Sequence, residues 1–273
     1  MLISNMMKKL IDNIATALPD LLYFKLMPKL HILGSELNRK GGTAFSIVGK
    51  NLYAAESLHS DNGRIYFCER TRYHRYLYSE GPNRIHDVML AKYFIERPEV
   101  FRDGVVIDVG ANVGEFVGAV APYARRVIAF EPDPAVQEAL ELNASQFSNV
   151  EVLPVALSNA NGHLDFYLST QNADSSFVRP QSSWTTCRVD TLTLDQALLR
   201  LGIKEIDLLK LEAEGWEPEV LEGGVRALAV TKKICVDAGP ERHGESTRED
   251  VERLLLRQGF RTAVIGNIVL GDR

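Results

Sequence analysis

The hydrophobic pattern changes character near residue 100. Beyond that point, short unbroken apolar runs alternate with amphipathic stretches. Val105–Val109 (VVIDV) is an apolar run closed by Gly104 and Gly110, which suits a strand buried on both faces of a parallel sheet. Arg126–Phe130, Val150–Ala156, Ile206–Leu211 and Lys233–Asp237 repeat that pattern. Between them, Glu115–Tyr123, Asp133–Gln146, Thr193–Leu201 and Glu217–Leu228 read as helices, with Pro134 suited to a first turn. Gly162–Leu168 alternates and predicts an added antiparallel strand. Ser246–Gln258 predicts a helix, with Ser246 and Glu249 spaced as a capping box and Gly259 just past its end. Arg261–Ile265 and Asn267–Leu270 predict a terminal hairpin. Repeated strand–helix units of this kind predict an α/β fold, a parallel sheet with helices on both faces.

The first hundred residues read differently. In residues 1–33, Leu10, Ile11, Ile14, Leu18, Leu21 and Leu22 recur at three- and four-residue spacing, so a helix is expected, broken or kinked at Pro19 and Pro28. Gly34, Gly41, Gly42 and Gly49 mark residues 34–60 as loops with short strands. Arg64–Cys68 has strand character, and residues 83–97 predict a helix ended by Pro98. The chain is therefore expected to divide into a helical extension with short strands, 1–100, and a second domain, 101–273. The extension is a natural source of acceptor contacts or of a homodimer interface. Lys8, Lys9, Lys25 and Lys29 flank its apolar residues, which leaves peripheral membrane contact open. No run of about 18 apolar residues predicts a transmembrane span. Charged and polar interruptions after Lys8 and Lys9 argue against a signal peptide, so the expected compartment is the cytoplasm.

Composition narrows the classes without choosing among them. The 45% hydrophobic and 25% charged fractions are those of an ordinary globular protein. A net charge of −5 argues against broad electrostatic binding of nucleic acid. Cys68, Cys187 and Cys235 are scattered, with no spacing that suggests a disulfide framework or a zinc site.

Ligands of wound parallel sheets bind beyond the carboxyl ends of the strands. That rule gathers Gly110–Gly114, Glu131, Val155–Ser158, Glu212–Glu214 and Asp237–Gly239 on one expected rim. The strongest local signal is Asp108-Val109-Gly110-Ala111-Asn112-Val113-Gly114, between a strand and a helix. A dinucleotide fingerprint needs G-x-G-x-x-G, but Asn112 occupies the second glycine position. The bare backbone demanded by a pyrophosphate is missing, which favours S-adenosylmethionine over NAD. Glu131 ends the second strand, where a carboxylate can accept hydrogen bonds from both ribose hydroxyls. Ala156-Leu157-Ser158 stands where an adenine edge would lie. Lys210 and Glu212 share one strand face, and Glu212 and Glu214 flank the strand's end.

Taken in order, DVGANVG, Phe130-Glu131-Pro132, Ala156-Leu157-Ser158, Asp174-Ser175-Ser176, Val189-Asp190-Thr191-Leu192 and DLLKLEAEGWEPEVLEGG resemble the FkbM-type methyltransferases. The resemblance runs from about Val105 to Phe260. It implies a class I methyltransferase (Rossmann-like) fold, with a seven-stranded, mostly parallel sheet and an antiparallel last strand. It also implies methyl transfer from S-adenosylmethionine to a hydroxyl of a sugar, glycan or polyketide-type product. Asp108, Gly110, Ala111, Asn112, Gly114, Glu131, Pro132, Ala156, Leu157 and Ser158 would then bind the cofactor. One departure stands out: the family usually has an aspartate followed by valine where this chain has Glu212-Ala213.

An alcohol is a poor nucleophile while protonated, so a nearby base is expected. Candidates for the catalytic rim are Glu212, Glu214, Lys210, Asp237 and His243, with Glu212 favoured as base or base-orienting group. His86 and Asp87 are placed to reach in from the helix at 83–97. A second arrangement uses Glu212, Glu214 and Asp237 as hard oxygen ligands for Mg2+ or another divalent cation. A charge network with Lys210 accounts for the same residues. Two rival readings remain: an NAD-dependent oxidoreductase or epimerase, and a non-catalytic cofactor-binding homologue. The absence of a Tyr-x-x-x-Lys pair speaks against the former.

Overall fold

A computed structural model describes residues 18–34, 43–57, 63–69, 72, 75, 76, 82–168, 175–179 and 184–273. The apolar pattern of residues 1–17, and also Asp174, lie outside the described residues. The chain forms two compact units, Met1–Ile85 and His86–Arg273. The division falls earlier than the expected boundary at residue 100, because Tyr93 and its neighbours are built into the second unit.

In the first unit, helix α1 (Asp20–Gly34) precedes an antiparallel sheet of β1 (Thr43–Gly49), β2 (Leu52–Ser57) and β3 (Arg64–Cys68). The backbone stays helical through Pro28, where a break was expected. Tyr53 donates its hydroxyl to Asp20 at 2.9 Å. Phe24 stacks on Phe45 at 5.7 Å, and Phe67 packs between Tyr53 and Tyr76, so aromatic rings form this unit's core.

The second unit takes up the rest of α2 (Pro82–Lys92) and continues as β4 (Val105–Val109), α3 (Glu115–Val120), β5 (Arg126–Phe130), α4 (Gln137–Ala144) and β6 (Val150–Leu153). There follow β7 (Ala156–Leu157), β8 (Gly162–Leu168), β9 (Thr185–Leu192), α5 (Leu194–Leu201), β10 (Ile206–Leu211), α6 (Glu217–Glu222) and α7 (Val225–Ala229). The last elements are β11 (Thr231–Asp237), α8 (Arg248–Arg257), β12 (Arg261–Ile265) and β13 (Ile268–Asp272). The main sheet has seven strands in the order β12-β13-β11-β10-β4-β5-β6. The five strands from β11 to β6 pair in parallel. The last strand, β13, runs antiparallel between β11 and β12. This is the expected seven-stranded α/β architecture. Its core is the apolar content of those runs: Ile107, Ile128, Leu209, Leu211 and Val236 are all fully buried, with helical Leu194, Val220 and Leu255 packed against them.

Several elements depart from the sequence reading. The run Val150–Ala156 is cut at Pro154, which cannot donate to a sheet ladder, and its end becomes β7 in a second small sheet, β7-β9-β8. Strand β9 was not anticipated; its alternation is masked by Thr185, Thr186 and Arg188. The helix expected over Glu217–Leu228 is two, because Gly223-Gly224 interrupts it. A side chain on Gly223 would collide with the Ser158 carbonyl. The expected capping box is not formed: Ser246 Oγ donates to Ala238 O and accepts from Arg248 N–H, and Thr247 stands at the helix N-cap. Helix α2 stops at Lys92 rather than running to 97, since Phe94 turns the chain with φ +57°. Among the described residues, no helix is long and apolar enough to cross a membrane.

Candidate active site

Strand register assembles the site. Leu211 pairs with Val109 and Val236, and Val109 pairs with Phe130. The next residue of each strand is therefore Glu212, Gly110, Asp237 and Glu131, side by side beyond the carboxyl ends. Two rows lower, Lys210 is opposite Asp108 and Cys235. Residues aligned in a parallel ladder share a face, so this register places an ammonium against a carboxylate inside the sheet. Lys210 is 3% and Asp108 0% exposed, and they meet at 2.9 Å.

That buried pair supports the glycine turn. Lys210 Nζ donates to the carbonyls of Gly110 at 2.8 Å and Val109 at 3.3 Å. It acts as a brace beneath the loop, not as a group open to a ligand. Burial pushes the Asp108 carboxyl up from its ordinary range, opposed by the Lys210 charge. Gly110 has φ +72°, and any β-carbon there would run into the carbonyl oxygen of Glu212. Asn112 and Gly114 also adopt positive φ, +52° and +89°, and Asn112 Oδ1 accepts from the Val113 amide at 2.8 Å. Asparagine is thus tolerated at the second glycine position because its side chain bonds locally to the backbone. Gly110 and Ala111 both donate backbone N–H groups to Phe130 O, tying the turn to β5.

Glu131 borders this turn. Its Oε2 accepts from the Asn112 amide and its Oε1 from the Asp133 amide, both at 2.8 Å. Burial raises its pKa to about 7 against the opposing pull of those amides. Pro132 follows it, and Asp133 takes the Ser175 hydroxyl at 2.6 Å. Ala156, Leu157 and Ser158 are buried, but in the small sheet rather than the main one. The Ser158 hydroxyl accepts from the Trp216 indole N–H at 3.1 Å, and its amide donates to Leu192 O. Trp216, to which the sequence reading gave no role, packs at a tilt against Phe177 with centroids 5.2 Å apart.

Glu212 is enclosed by donors. Its Oε1 receives Lys92 Nζ at 2.8 Å, its Oε2 receives the Tyr93 hydroxyl at 2.5 Å, and Lys210 Nζ stands 3.6 Å away. Burial alone would raise its pKa, but Lys210 and Lys92 outweigh that and hold it down to about 2. Glu212 is consequently a weak base, and the expectation that it accepts the hydroxyl proton is not supported by its surroundings. Lys92 also pairs with Asp237 at 2.9 Å. The divalent cation expected among Glu212, Glu214 and Asp237 is therefore corrected. Among the described residues, no three His, Cys, Asp or Glu side chains are arranged to hold a metal. An ammonium already bridges two of the carboxylates.

Glu214 joins the rim through its backbone. It adopts φ +50°, and its carbonyl accepts the Ser176 hydroxyl at 2.6 Å. The turn around it is held from below by Glu217, whose Oε1 accepts from Ala213 and Gly215 amides at 2.9 Å each. His243 is exposed on the loop after β11 with φ +55°. Among the described residues, it forms no hydrogen bond or ion pair with Glu212, Glu214 or Asp237. His86 is lodged against Gly118 of α3, where burial lowers its pKa, and Asp87 is exposed. Lys92, Tyr93, Glu217 and Glu241 are the charged or polar contributors that sequence reasoning missed. A Lys-Tyr step closing a helix before Pro98 was the one available signal for the first two.

A model of the Methyltransferase FkbM domain matches residues 108–262 of the chain. Three relatives are similar in sequence. The AMB antimetabolite synthetase AmbE of Pseudomonas aeruginosa is 31% identical over 208 residues, which take in 59% of this chain and 10% of that protein. The 2-O-methyltransferase NoeI of Sinorhizobium fredii is 28% identical over 162 residues, 52% of this chain and 65% of that one. The hexuronic acid methyltransferase AglP of Haloferax volcanii is 27% identical over 168 residues, 61% of this chain and 67% of that one. The chain spans a tenth of the first relative and about two thirds of the other two.

Proposed function

The chain belongs to the FkbM methyltransferase family, and from that premise we propose that it transfers a methyl group from S-adenosylmethionine to a hydroxyl of a sugar, glycan or polyketide-type product. The observation that carries this reading is the Gly110–Gly114 turn with Glu131 beside it. Each Glu131 oxygen accepts one backbone amide and keeps a further lone pair for a ribose hydroxyl. Gly110 is packed against the Glu212 carbonyl, so the glycine turn and the exit of β10 close on each other beside Glu131. S-adenosylmethionine supplies a methyl on a positively charged sulfur, already a good leaving group. The protein's part is then positioning and charge placement. Glu131 orients the nucleoside, the brace of Lys210 and Asp108 holds the turn rigid, and the Glu212–Lys92–Asp237 row sets the charge at the rim. Similarity to a 2-O-methyltransferase and to a hexuronic acid methyltransferase favours a carbohydrate hydroxyl as acceptor.

Calorimetry tests the cofactor: S-adenosylmethionine and S-adenosylhomocysteine should bind and NAD should not. Glu131→Ala should weaken S-adenosylhomocysteine by about tenfold or more, the equivalent of about 1.4 kcal/mol. Tritiated methyl transfer to methyl hexosides and methyl hexuronosides tests the acceptor. Preferential binding of NAD, or transfer to amines but not hydroxyls, would overturn the reading.

A further inference from the structure

Glu241 follows β11 through Ala238-Gly239-Pro240. Its carboxyl folds back over Gly239, where any β-carbon would collide with Oε1. Its own β-carbon stands 3.3 Å from the position a β-carbon would take on Gly215. Gly215 lies just past β10 and Gly239 just past β11, which are parallel neighbours. The Glu241 side chain thus lies on the rim, against the segments that leave β10 and β11. Its Oε2 is buried and has no hydrogen-bond partner among the described residues.

The groups facing it are Glu217 of α6, Asp237 of β11 and Glu212 just past β10. The cations of the site have other partners. Lys92 bridges Glu212 and Asp237, Lys210 pairs with Asp108, and Arg242 pairs with Glu219. Glu241 is therefore a carboxyl at the rim with a buried oxygen and no ammonium holding it.

Resting on the reading of the chain as an O-methyltransferase, we infer that Glu241 is the general base that takes the proton from the acceptor hydroxyl. Burial, reinforced by the charges of Glu217, Asp237 and Glu212, pushes its pKa up to about 7. A carboxylate there is still substantially ionised at neutral pH and basic enough to assist a hydroxyl as it becomes a nucleophile. Glu212, held down to about 2, is not. In the step, the acceptor oxygen forms a bond to the methyl carbon while the carbon–sulfur bond breaks and its electron pair stays on sulfur. The hydroxyl proton passes to the Glu241 carboxylate and is returned to water before the next turnover. A sulfonium and a carboxylate become a thioether and a carboxylic acid, so charge is neutralised within the site.

The experiment measures kcat and KM from about pH 5 to pH 9 for the full chain, Glu241→Gln and Glu241→Asp. It uses tritiated S-adenosylmethionine with methyl hexosides and methyl hexuronosides, and titrates S-adenosylhomocysteine into each variant as a control on folding. The wild-type kcat is expected to rise with pH to a plateau, with an inflection near the Glu241 value. Glu241→Gln should lower kcat by about a hundredfold or more and erase the inflection, while S-adenosylhomocysteine affinity stays within about twofold. Glu241→Asp should keep an inflection. A Glu241→Gln enzyme within about threefold of wild type, or one that keeps the wild-type inflection, overturns the assignment. Wild type that binds S-adenosylmethionine but methylates no hydroxyl overturns the underlying reading, and the base assignment falls with it.

Discussion

Glu131 and Glu212 occupy the same row, each one residue beyond a parallel strand, yet their carboxyls are driven in opposite directions. Glu131 is buried with backbone amides for company and rises to about 7. Glu212 is half-buried among two lysines and a phenol and falls to about 2. The difference comes from neighbouring charge, since burial pushes both upward. Lys92→Met tests this directly, because it keeps the bulk of the apolar stem and deletes the ammonium between Glu212 and Asp237. The variant should lose about 1–3 kcal/mol at pH 7, measured by urea unfolding, as a charge-assisted bond disappears and two carboxylates confront each other. The sign with pH follows from the lowered value. The contribution of Glu212 is fully present above its unfolded value of 4.5 and is lost as pH falls toward about 2. The deficit of Lys92→Met should therefore shrink in acid; a deficit unchanged down to pH 3 would remove Glu212 from the account.

At the scale of elements, the turn between β4 and α3 depends on close approach as much as on conformational freedom. Gly110 needs both a positive φ and room beside the Glu212 carbonyl. Gly110→Ala should cost at least about 2 kcal/mol, combining left-handed strain with overpacking, and should abolish measurable S-adenosylhomocysteine binding. Thermal unfolding and calorimetry check the two effects separately. A variant that is destabilised but binds normally would show that the turn does not meet the cofactor. The opposite wall of the rim, Ala213–Gly215, is set by a single carboxylate: Glu217 accepts two amides from the turn and the Thr247 hydroxyl from the start of α8. One side chain thus couples the exit of β10 to the helix that follows β11.

At the scale of the molecule, the second unit keeps several carboxyls protonated more readily than water would. Glu131 and Glu241 both stand at about 7. Between their unfolded value of 4.5 and 7, the folded chain holds protons that the unfolded chain releases. Stability contributed by these groups is present in acid and is lost as pH rises through about 7. The melting temperature of the ligand-free protein should accordingly fall between pH 5 and pH 8, and the double variant Glu131→Gln, Glu241→Gln should flatten that slope. An unchanged slope would mean that neither group keeps its proton. Such an arrangement suits a site whose carboxylates are stabilised by what binds there rather than by the empty fold.

Much of this protein is written locally. The runs Val105–Val109, Arg126–Phe130 and Ile206–Leu211 announce buried parallel strands because a strand covered on both faces has no polar side to show. The turn at Gly110–Gly114 announces itself because its φ angles exclude most side chains. The place of Glu131 is legible as well, because it follows from the end of a strand. Pairing decided the rest. Lys92 and Tyr93 reach Glu212 across 120 and 119 residues, a distance no local periodicity encodes. The register that sets Lys210 against Asp108 turned a supposed catalytic lysine into a brace. Glu241 has nothing in its own sequence neighbourhood to distinguish it from an exposed loop glutamate. Burial and the charges of three separate elements give it its chemistry, and those exist once the strands have paired, because proton affinity is a property of surroundings rather than of residue type.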